Sequence, residues 1–328
     1  MLVSIVIPVY KVEYLIERCV RSLFEQSYND IEYIFVDDKG GDKSIDIVKD
    51  LLLEYPSRNN QVKIISHQSN LGSAAARSTG LKASTGDYVI HVDSDDYVDK
   101  DYIKKLAEKA IDTGADIVVC DMVFLYRNGK SKLVKSNGSE LLSKDEWLSL
   151  ILSGKEHASL CNKLVRRTIF IENNIDFNKD IMMYDDKSVL YKAIYYSGRI
   201  VTVDAALYYY DRTNTGSITN RDHSTSISAS TKLMYEISDF FSKSHQSRVV
   251  EEGFIYFLIE IKGTMILYTD REWLNHKLLS RFPVKLIFSH PTVPSYYKLA
   301  VVCEQWHLSP IVRLLKYSFK RLRSICRN

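Results

Sequence analysis

The sequence has few cysteines, and none of them form a metal-binding pair. Its five cysteines are scattered through 328 residues without a Cys-x-x-Cys spacing. An odd number of irregularly spaced cysteines argues against a disulfide framework and a zinc site, and it favours reduced thiols. The eight histidines show no ligand spacing either. We therefore expect neither a disulfide scaffold nor a cysteine or histidine metal centre.

Long apolar runs are also missing, and we expect no leader segment. The longest apolar candidate, residues 253–267, is interrupted by Glu260 and Lys262, so it is too polar to span a bilayer. Met1 leads directly into the strand-like residues 2–9, with no basic segment before it and no small-residue cleavage site after it. Together with the reduced thiols, these features predict a cytoplasmic location.

Acidic residues are absent from the end of the chain. No Asp or Glu follows Glu304, whereas six Lys or Arg residues follow Pro310. The net charge of +3 depends on these six, because 38 basic residues face 41 acidic ones without them. The basicity is therefore local, which argues against a nucleic-acid-binding protein.

Strand-like and helix-like segments alternate through the first part of the chain, as they do in a doubly wound parallel sheet. The predicted strands are residues 2–9, 31–36, 62–66, 88–92, 117–124 and 200–210, and the predicted helices are residues 12–24, 43–55, 74–83, 100–113 and 144–152. From about residue 224 the pattern becomes helical, over 226–241 and 249–268. We predict an α/β domain over residues 1–221 and a helical C-terminal region over residues 222–328.

The most informative segment is Asp93-Ser94-Asp95-Asp96, which follows the predicted strand 88–92. Ligands of open α/β sheets bind at the carboxyl ends of the strands. Two carboxylates at i and i+2 can share a hard divalent cation, and such a cation can hold a diphosphate. Taken alone, the segment is more typical of an acidic surface turn than of a metal site.

Several further motifs stand in a fixed order around this segment. They are Ser4-Ile5-Val6-Ile7-Pro8-Val9-Tyr10, Phe35-Val36-Asp37-Asp38, Asn70-Leu71-Gly72 with Ala76-Arg77, Gly86-Asp87-Tyr88, Cys161-Asn162-Lys163-Leu164, Asp185-Asp186, and Leu207-Tyr208-Tyr209-Tyr210 with Gly216-Ser217. This order resembles the glycosyltransferase family 2 catalytic domain over about two thirds of the chain. The resemblance implies the GT-A fold, a Rossmann-like and mostly parallel sheet flanked by helices, and a nucleotide-sugar-binding catalytic domain over residues 1–221.

The resemblance also implies which residues bind the nucleotide sugar. The matching positions are Pro8, Val9, Tyr10, Asp38, Asn70, Gly72, Arg77, Asp93 and Ser94. Asp38 matches the acid that binds the nucleobase, and a carboxylate suits the imide N–H of uracil; the alternative is an acid that caps a turn. Arg77 suits either a charge-assisted contact to phosphate or to a site carboxylate, or an internal ion pair that braces the acidic loop.

The metal and the catalytic base are implied in the same way. Asp95 matches the second acid of the family's D-x-D motif and would hold Mn²⁺ or Mg²⁺, whereas Asp96 would stabilise the loop. The family's base lies in a Glu-Asp pair at the start of a helix, and Asp186 matches it. The first member of the pair, Asp185, departs from the usual Glu. A register shifted by one residue would make Asp185 the base, so Asp185 is the reserve candidate. The alternative is that both acids only favour a helix N-terminus.

These motifs predict a metal-dependent inverting glycosyltransferase of hexosyl or N-acetylhexosaminyl type. It would move one sugar from a nucleoside diphosphate sugar, with UDP favoured, to a glycan or glycolipid acceptor in surface polysaccharide biosynthesis. A processive synthase is not expected, because no Gln-x-x-Arg-Trp motif is present. The alternatives are a nucleotidylyltransferase and a catalytically silent nucleotide-sugar-binding protein of the same fold.

The C-terminal segment, residues 311–327, reads as an amphipathic helix. Its apolar side consists of Ile311, Val312, Leu314, Leu315, Phe319, Leu322, Ile325 and Cys326, and all six basic residues fall on the other side. Such a helix suits peripheral contact with an anionic membrane at its inner face. The alternative is a terminal helix whose apolar side docks on its own domain.

Overall fold

The structure is a computed structural model that describes residues 1–181, 183–214, 223–243, 247–268 and 277–327, with the backbone alone over 223–226 and 319–327. The chain forms two compact units. The first comprises Met1–Lys144 and Ala158–Asn220, and the second comprises Asp145–His157 and Arg221–Asn328. The predicted boundary between residues 221 and 222 lies outside the described residues. Residues 145–157, which the prediction placed in the α/β domain, belong to the second unit.

The first unit is built on one mixed sheet. Its described strands are β1 (Val3–Val9), β2 (Ile31–Asp37), β3 (Val62–Ser66), β4 (Tyr88–His91), β5 (Tyr97–Val98), β6 (Ile117–Leu125), β7 (Ser131–Val134), β8 (Lys163–Arg166) and β9 (Ile200–Asp211). They are ordered β3-β2-β1-β4-β8-β6-β9-β5, and β7 pairs with β6. Strands β3, β2, β1 and β4 are parallel, as is the β6–β9 pair, whereas β5, β7 and β8 pair antiparallel.

Helices pack on this sheet. They are α1 (Ile16–Phe24), α2 (Ser44–Glu54), α3 (Ser73–Ala83), α4 (Tyr102–Thr113), α6 (Arg167–Glu172) and α7 (Asp185–Tyr196), with α5 (Lys144–Leu152) between α4 and α6 in the chain and a 3₁₀ helix at Pro56–Gln61. The predicted apolar stripe of α1 is buried, and Cys19 and Leu23 are fully inaccessible. It packs with β1, β2 and β4 in one continuous core, because these strands are buried runs of apolar residues.

The second unit is helical. It contains α5, α8 (His223–Ser242), α9 (Arg248–Tyr268), α10 (Val284–Ser289), α11 (Ser295–Gln305) and α12 (Ser309–Arg327), with a 3₁₀ helix at Lys277–Leu279. The buried Lys262 of α9 pairs with Glu304 of α11 at 2.6 Å. Every helix in the described part of the chain is too short or too polar to cross a bilayer. The predicted α/β class and the helical C-terminal region are both confirmed.

Candidate active site

The candidate site lies at the carboxyl ends of three neighbouring parallel strands. β2, β1 and β4 lie side by side in the sheet. Tyr10 follows β1, Asp38 follows β2, and the acidic loop, defined as residues 93–96, follows β4. The Asp38 N–H donates to the Val9 carbonyl at 2.9 Å, which joins the first two strand ends. The sheet therefore brings the predicted nucleotide and metal positions to one edge.

The loops after β1 and β2 hold each other in place. The Val12 N–H donates to Ser44 Oγ at 3.1 Å. At Gly40 a Cβ would come within 2.7 Å of the Lys11 backbone nitrogen, so the close approach of the two loops requires glycine there. Residues 8–10, predicted to bind the nucleotide sugar, lead directly into this pair of loops.

Asp38 is buried and surrounded by hydrogen-bond donors. Its Oδ1 accepts from the Leu71 N–H at 2.8 Å and from His67 Nδ1 at 2.8 Å, and its Oδ2 accepts from the Gly72 N–H at 2.8 Å. The Asn70 side chain donates to the Asp38 carbonyl at 3.3 Å. Gly72 has φ of +89° and immediately precedes α3, a conformation that suits glycine. The predicted donor-binding segment therefore folds around Asp38.

Arg77 joins the acidic loop to the predicted base. Its Nη2 lies 2.5 Å from Asp93 Oδ1, its Nη1 donates to Asp185 Oδ2, and its Nε lies 3.5 Å from Asp186 Oδ1. Ser73, one turn earlier on α3, also donates to Asp185, at 3.1 Å. Since the Arg77 side chain is only 8% exposed, this is a buried pairing of one cation with three carboxylates. Arg77 thus contacts site carboxylates and braces the acidic loop at the same time.

Strand β9 supports the other side of the acidic loop. The Tyr208 hydroxyl donates to Asp96 Oδ2 at 2.6 Å and accepts from the Asp93 N–H at 3.1 Å. The Asp211 N–H donates to Asp96 Oδ1 at 2.7 Å, and Arg18 pairs with the Asp211 carboxylate. Burial, followed by the neighbouring carboxylates, raises the pKa of Asp96 well above its usual range. These contacts fit the predicted loop-stabilising role of Asp96.

Asp95 has the environment of a group that a cation would stabilise. Burial, with the nearby Asp93 carboxylate, raises the pKa of Asp95, and Asn214 donates to its Oδ2 at 2.9 Å. Within the described ranges no group of three or more His, Cys, Asp or Glu side chains is placed to hold a metal ion. Asp95 fits a hard cation that takes its other oxygen ligands from a diphosphate and water. Ser94, next to it, is buried.

Asp185 and Asp186 begin α7 and face different surroundings. Asp185 is 8% exposed and already bound by Arg77 and Ser73, whereas Asp186 is 21% exposed and accepts from the Leu160 N–H at 3.1 Å. Burial raises the pKa of Asp186 to about 7; Arg77 opposes this rise, and Asp185 and Asp93 add to it. A carboxylate with a pKa near neutrality is suited to take up a proton.

Several residues of this arrangement were not predicted to be part of it. They are Arg18, His67, Ser73, Asn214 and Asp211, and also Tyr208, which belongs to one of the ordered motifs but was given no role in the site. His91 is buried against the ring of Phe177 and, among the described residues, neither ring nitrogen has a hydrogen-bond partner. It is the packed strand histidine that its position in β4 suggests. The Gly216-Ser217 motif lies outside the described residues.

A family model described as "Glycosyl transferase family 2" matches residues 4–173. The "Uncharacterized glycosyltransferase EpsJ" of Bacillus subtilis (strain 168) is 34% identical over 225 residues, which is 66% of this chain and 63% of that protein. The Staphylococcus aureus (strain MW2) "Poly(ribitol-phosphate) beta-N-acetylglucosaminyltransferase TarS" is 26% identical over 71% of this chain and 39% of that protein. This chain therefore matches less than two thirds of the length of either relative.

Solved structures show the same fold. The crystal structure of S. aureus TarS 1-349 in complex with UDP-GlcNAc superimposes with a TM-score of 0.68 at 20% identity, over 98% of this chain and 92% of that one. The mannosyltransferase PcManGT from Pyrobaculum calidifontis, in complex with GDP-Man and Mn²⁺, gives a TM-score of 0.56 at 14% identity, over 96% of this chain and 83% of that one. The expected GT-A fold is confirmed.

Proposed function

Because the chain belongs to glycosyl transferase family 2, we propose that it transfers one sugar from a UDP-linked donor to a hydroxyl of a glycan or glycolipid acceptor, with inversion. The observation that carries the proposal is the pairing of Arg77 with both the acidic loop and the base candidate Asp186. In the proposal, this pairing holds the loop that binds the diphosphate next to the group that accepts the proton. The UDP-GlcNAc complex of TarS and the name of that enzyme support a uridine donor and an N-acetylhexosaminyl group. The hexosyl alternative and the role in surface polysaccharide biosynthesis rest on the family resemblance alone.

In this proposal the donor is bound by the edge formed by β1, β2 and β4. Residues 8–10 and Asp38 contact the nucleobase, and Asp93 with Ser94 contacts the ribose. Asn70 and Gly72 approach the donor through the segment that folds around Asp38. Arg77 acts mainly through the carboxylates it pairs, because all its described contacts are with Asp93, Asp185 and Asp186.

Asp95 would hold Mn²⁺ or Mg²⁺, which supplies charge neutralisation for the leaving diphosphate when bound. The Asp186 carboxylate takes the proton of the acceptor hydroxyl as that oxygen bonds to the anomeric carbon. The bond between the anomeric carbon and the diphosphate oxygen breaks, and its electron pair leaves with the diphosphate. Asp185 holds Arg77 beside Asp186 and keeps the base in place.

The test is a screen of nucleotide sugars by thermal shift and by transfer, with and without Mn²⁺. The wild-type protein should gain melting temperature with UDP-linked sugars, because a ligand that binds only the native state stabilises it. Asp95→Ala should lose the manganese-dependent part of that gain. It should keep its fold, because burial raises the pKa of Asp95 and the folded state is therefore not stabilised by the charged carboxylate. Transfer by the wild type that resists a chelator would contradict the metal role. Release of pyrophosphate would indicate a nucleotidylyltransferase.

The apolar side of the C-terminal helix α12 is partly buried and partly exposed to solvent. Val312 and Leu315 are half-buried, whereas Ile311 is 43% exposed and Leu314 is 64% exposed. The side chains predicted for this side from Phe319 onward lie outside the described residues. We include in the proposal a peripheral contact of residues 311–327 with an anionic membrane at its inner face, where a lipid-linked acceptor would be presented.

Sedimentation with anionic liposomes tests this contact. The full chain should bind at low salt and be released at high salt, because exposed charges are screened. A chain ending at Ser309 should lose binding and retain donor hydrolysis. Leu314→Glu alters an exposed side chain and keeps the helix, and it should also weaken binding to the liposomes, as the truncation does. Equal sedimentation of all three proteins, or aggregation of the shortened chain alone, would indicate a helix that only packs on its own unit.

A further inference from the structure

The acceptor capacity of Asp38 is almost fully used by the protein itself. A carboxylate offers about four acceptor positions, two on each oxygen. His67 and the Leu71 N–H occupy both positions on Oδ1, and the Gly72 N–H occupies one on Oδ2. One position, on Oδ2, has no hydrogen-bond partner among the described residues. This count depends on His67, since the other two donors are backbone groups of the loop before α3.

The ring of His67 is itself fixed in place. Its Nε2 lies 2.9 Å from Thr79 Oγ1 on α3, and its side chain is 8% exposed. Because a carboxylate only accepts hydrogen bonds, Nδ1 carries the proton that is donated to Asp38. In the neutral ring Nε2 then accepts from the Thr79 hydroxyl. Thr79 thus orients His67, and His67 orients Asp38.

We propose that His67 is a positioning residue that sets the nucleobase preference of the donor site by leaving Asp38 a single acceptor position. The inference rests on the proposed role of Asp38 in base binding. Uracil presents one ring N–H between two carbonyls, and one acceptor satisfies it. Guanine presents two adjacent N–H groups, which need both oxygens of a carboxylate. Cytosine has an unprotonated ring nitrogen at this position, so it would face the carboxylate with a lone pair.

Removal of the imidazole has two opposite consequences. Oδ1 regains an acceptor position, so guanine can form its second hydrogen bond. The carboxylate also loses a contact that restrains it, so uracil binds less well. A buried site discriminates strongly against a ligand that leaves polar groups without a hydrogen-bond partner. This discrimination is lost when the site can pair those groups. If His67 only stabilised the fold, its removal would weaken the binding of both nucleotides equally.

Calorimetric titration of UDP and GDP, each with Mn²⁺, measures this preference. Wild-type protein should bind UDP more tightly than GDP. His67→Ala should reduce the ratio of the GDP dissociation constant to the UDP dissociation constant by about tenfold. His67→Asn should restore most of the ratio, because its amide nitrogen can take the place of Nδ1. Gln68→Ala, at the exposed neighbouring position, is the matched control and should leave the ratio unchanged.

The outcomes separate this inference from the proposed function. Wild-type protein that binds neither nucleotide would overturn the proposed function and the inference with it. Wild-type binding of UDP with the same ratio in His67→Ala, or equal affinity of the wild type for GDP and UDP, would overturn the inference alone. If His67→Ala does not fold, Thr79→Val keeps the ring and removes its second partner; it should lower the ratio by a smaller factor, and an unchanged ratio would overturn the inference.

Discussion

Replacement of Asp186 by Asn should lower transfer by about two to four orders of magnitude while donor binding stays nearly intact. The amide keeps the size of the side chain and cannot take a proton from the acceptor hydroxyl. Arg77 retains its contacts with Asp93 and Asp185 in this variant, so the site stays assembled. Single-turnover transfer and UDP titration, measured on the same protein, separate the two effects.

The pH dependence provides an independent readout of the same residue. Since burial raises the pKa of Asp186 to about 7, wild-type kcat/KM should rise as the pH increases through about 7, where the base loses its proton. The folded pKa is higher than that of an unfolded Asp, so the stability contribution of this group is present at acidic pH and lost as the pH rises toward 7. Asp186→Asn should remove the rise of kcat/KM near pH 7. At pH 8 its free energy of unfolding should be no lower than that of the wild type.

Two matched variants complete the test. Asp185→Asn should retain the rise in activity near pH 7, although it weakens the support of Arg77. Asp180→Asn, an exposed acid shortly before α7, should behave as the wild type. If Asp186→Asn turns over normally and Asp185→Asn does not, the base is Asp185.

The parts of the fold that sequence patterns predicted are those with buried, apolar elements. β1, β2 and β4 are almost entirely buried runs, and α1 buries a regular stripe, so period and composition identified them. β8 was missed because it has four residues and the charged Lys163 and Arg166 form its two ends, so it shows no apolar run. β5 was missed because two residues are too few to show a pattern. The antiparallel half of the sheet depends on these short strands, so it could not be predicted.

The candidate site shows the same division. Acids that follow predicted strands were found because strand direction places them at one edge. His67 and Tyr208 were missed because their partners, Asp38 and Asp96, lie 29 and 112 residues away, and no local pattern reports such pairs. Helix α7 was not delimited from its period, because it buries the polar side chains of Asp185, Lys187 and Ser188 together with apolar ones. The order of motifs, rather than periodicity, identified its acids.

Arg77→Met should destabilise the protein by about 3–5 kcal/mol and abolish transfer, because a buried ion pair that loses one partner leaves uncompensated charge. Here the loss affects three carboxylates, those of Asp93, Asp185 and Asp186. Without the guanidinium the pKa of Asp186 should rise further, since Arg77 is the group that opposes its upward shift. Urea unfolding at pH 8 measures the loss of stability.

The effect should depend on pH, and its sign follows from the charges. Protonated carboxyls do not repel one another, so the stability difference between the wild type and Arg77→Met should be smaller at pH 5 than at pH 8. Arg77→Lys should be intermediate, because an ammonium keeps the charge and cannot contact three carboxylates in a fixed geometry. Arg21→Met removes a partly exposed arginine that pairs with Glu17 and Glu54 at the surface, and it should cost far less stability than Arg77→Met, because solvent screens surface ion pairs. Equal losses for Arg77→Met and Arg21→Met, or a loss that does not change with pH, would contradict the assignment of Arg77 as the shared counter-ion of the site.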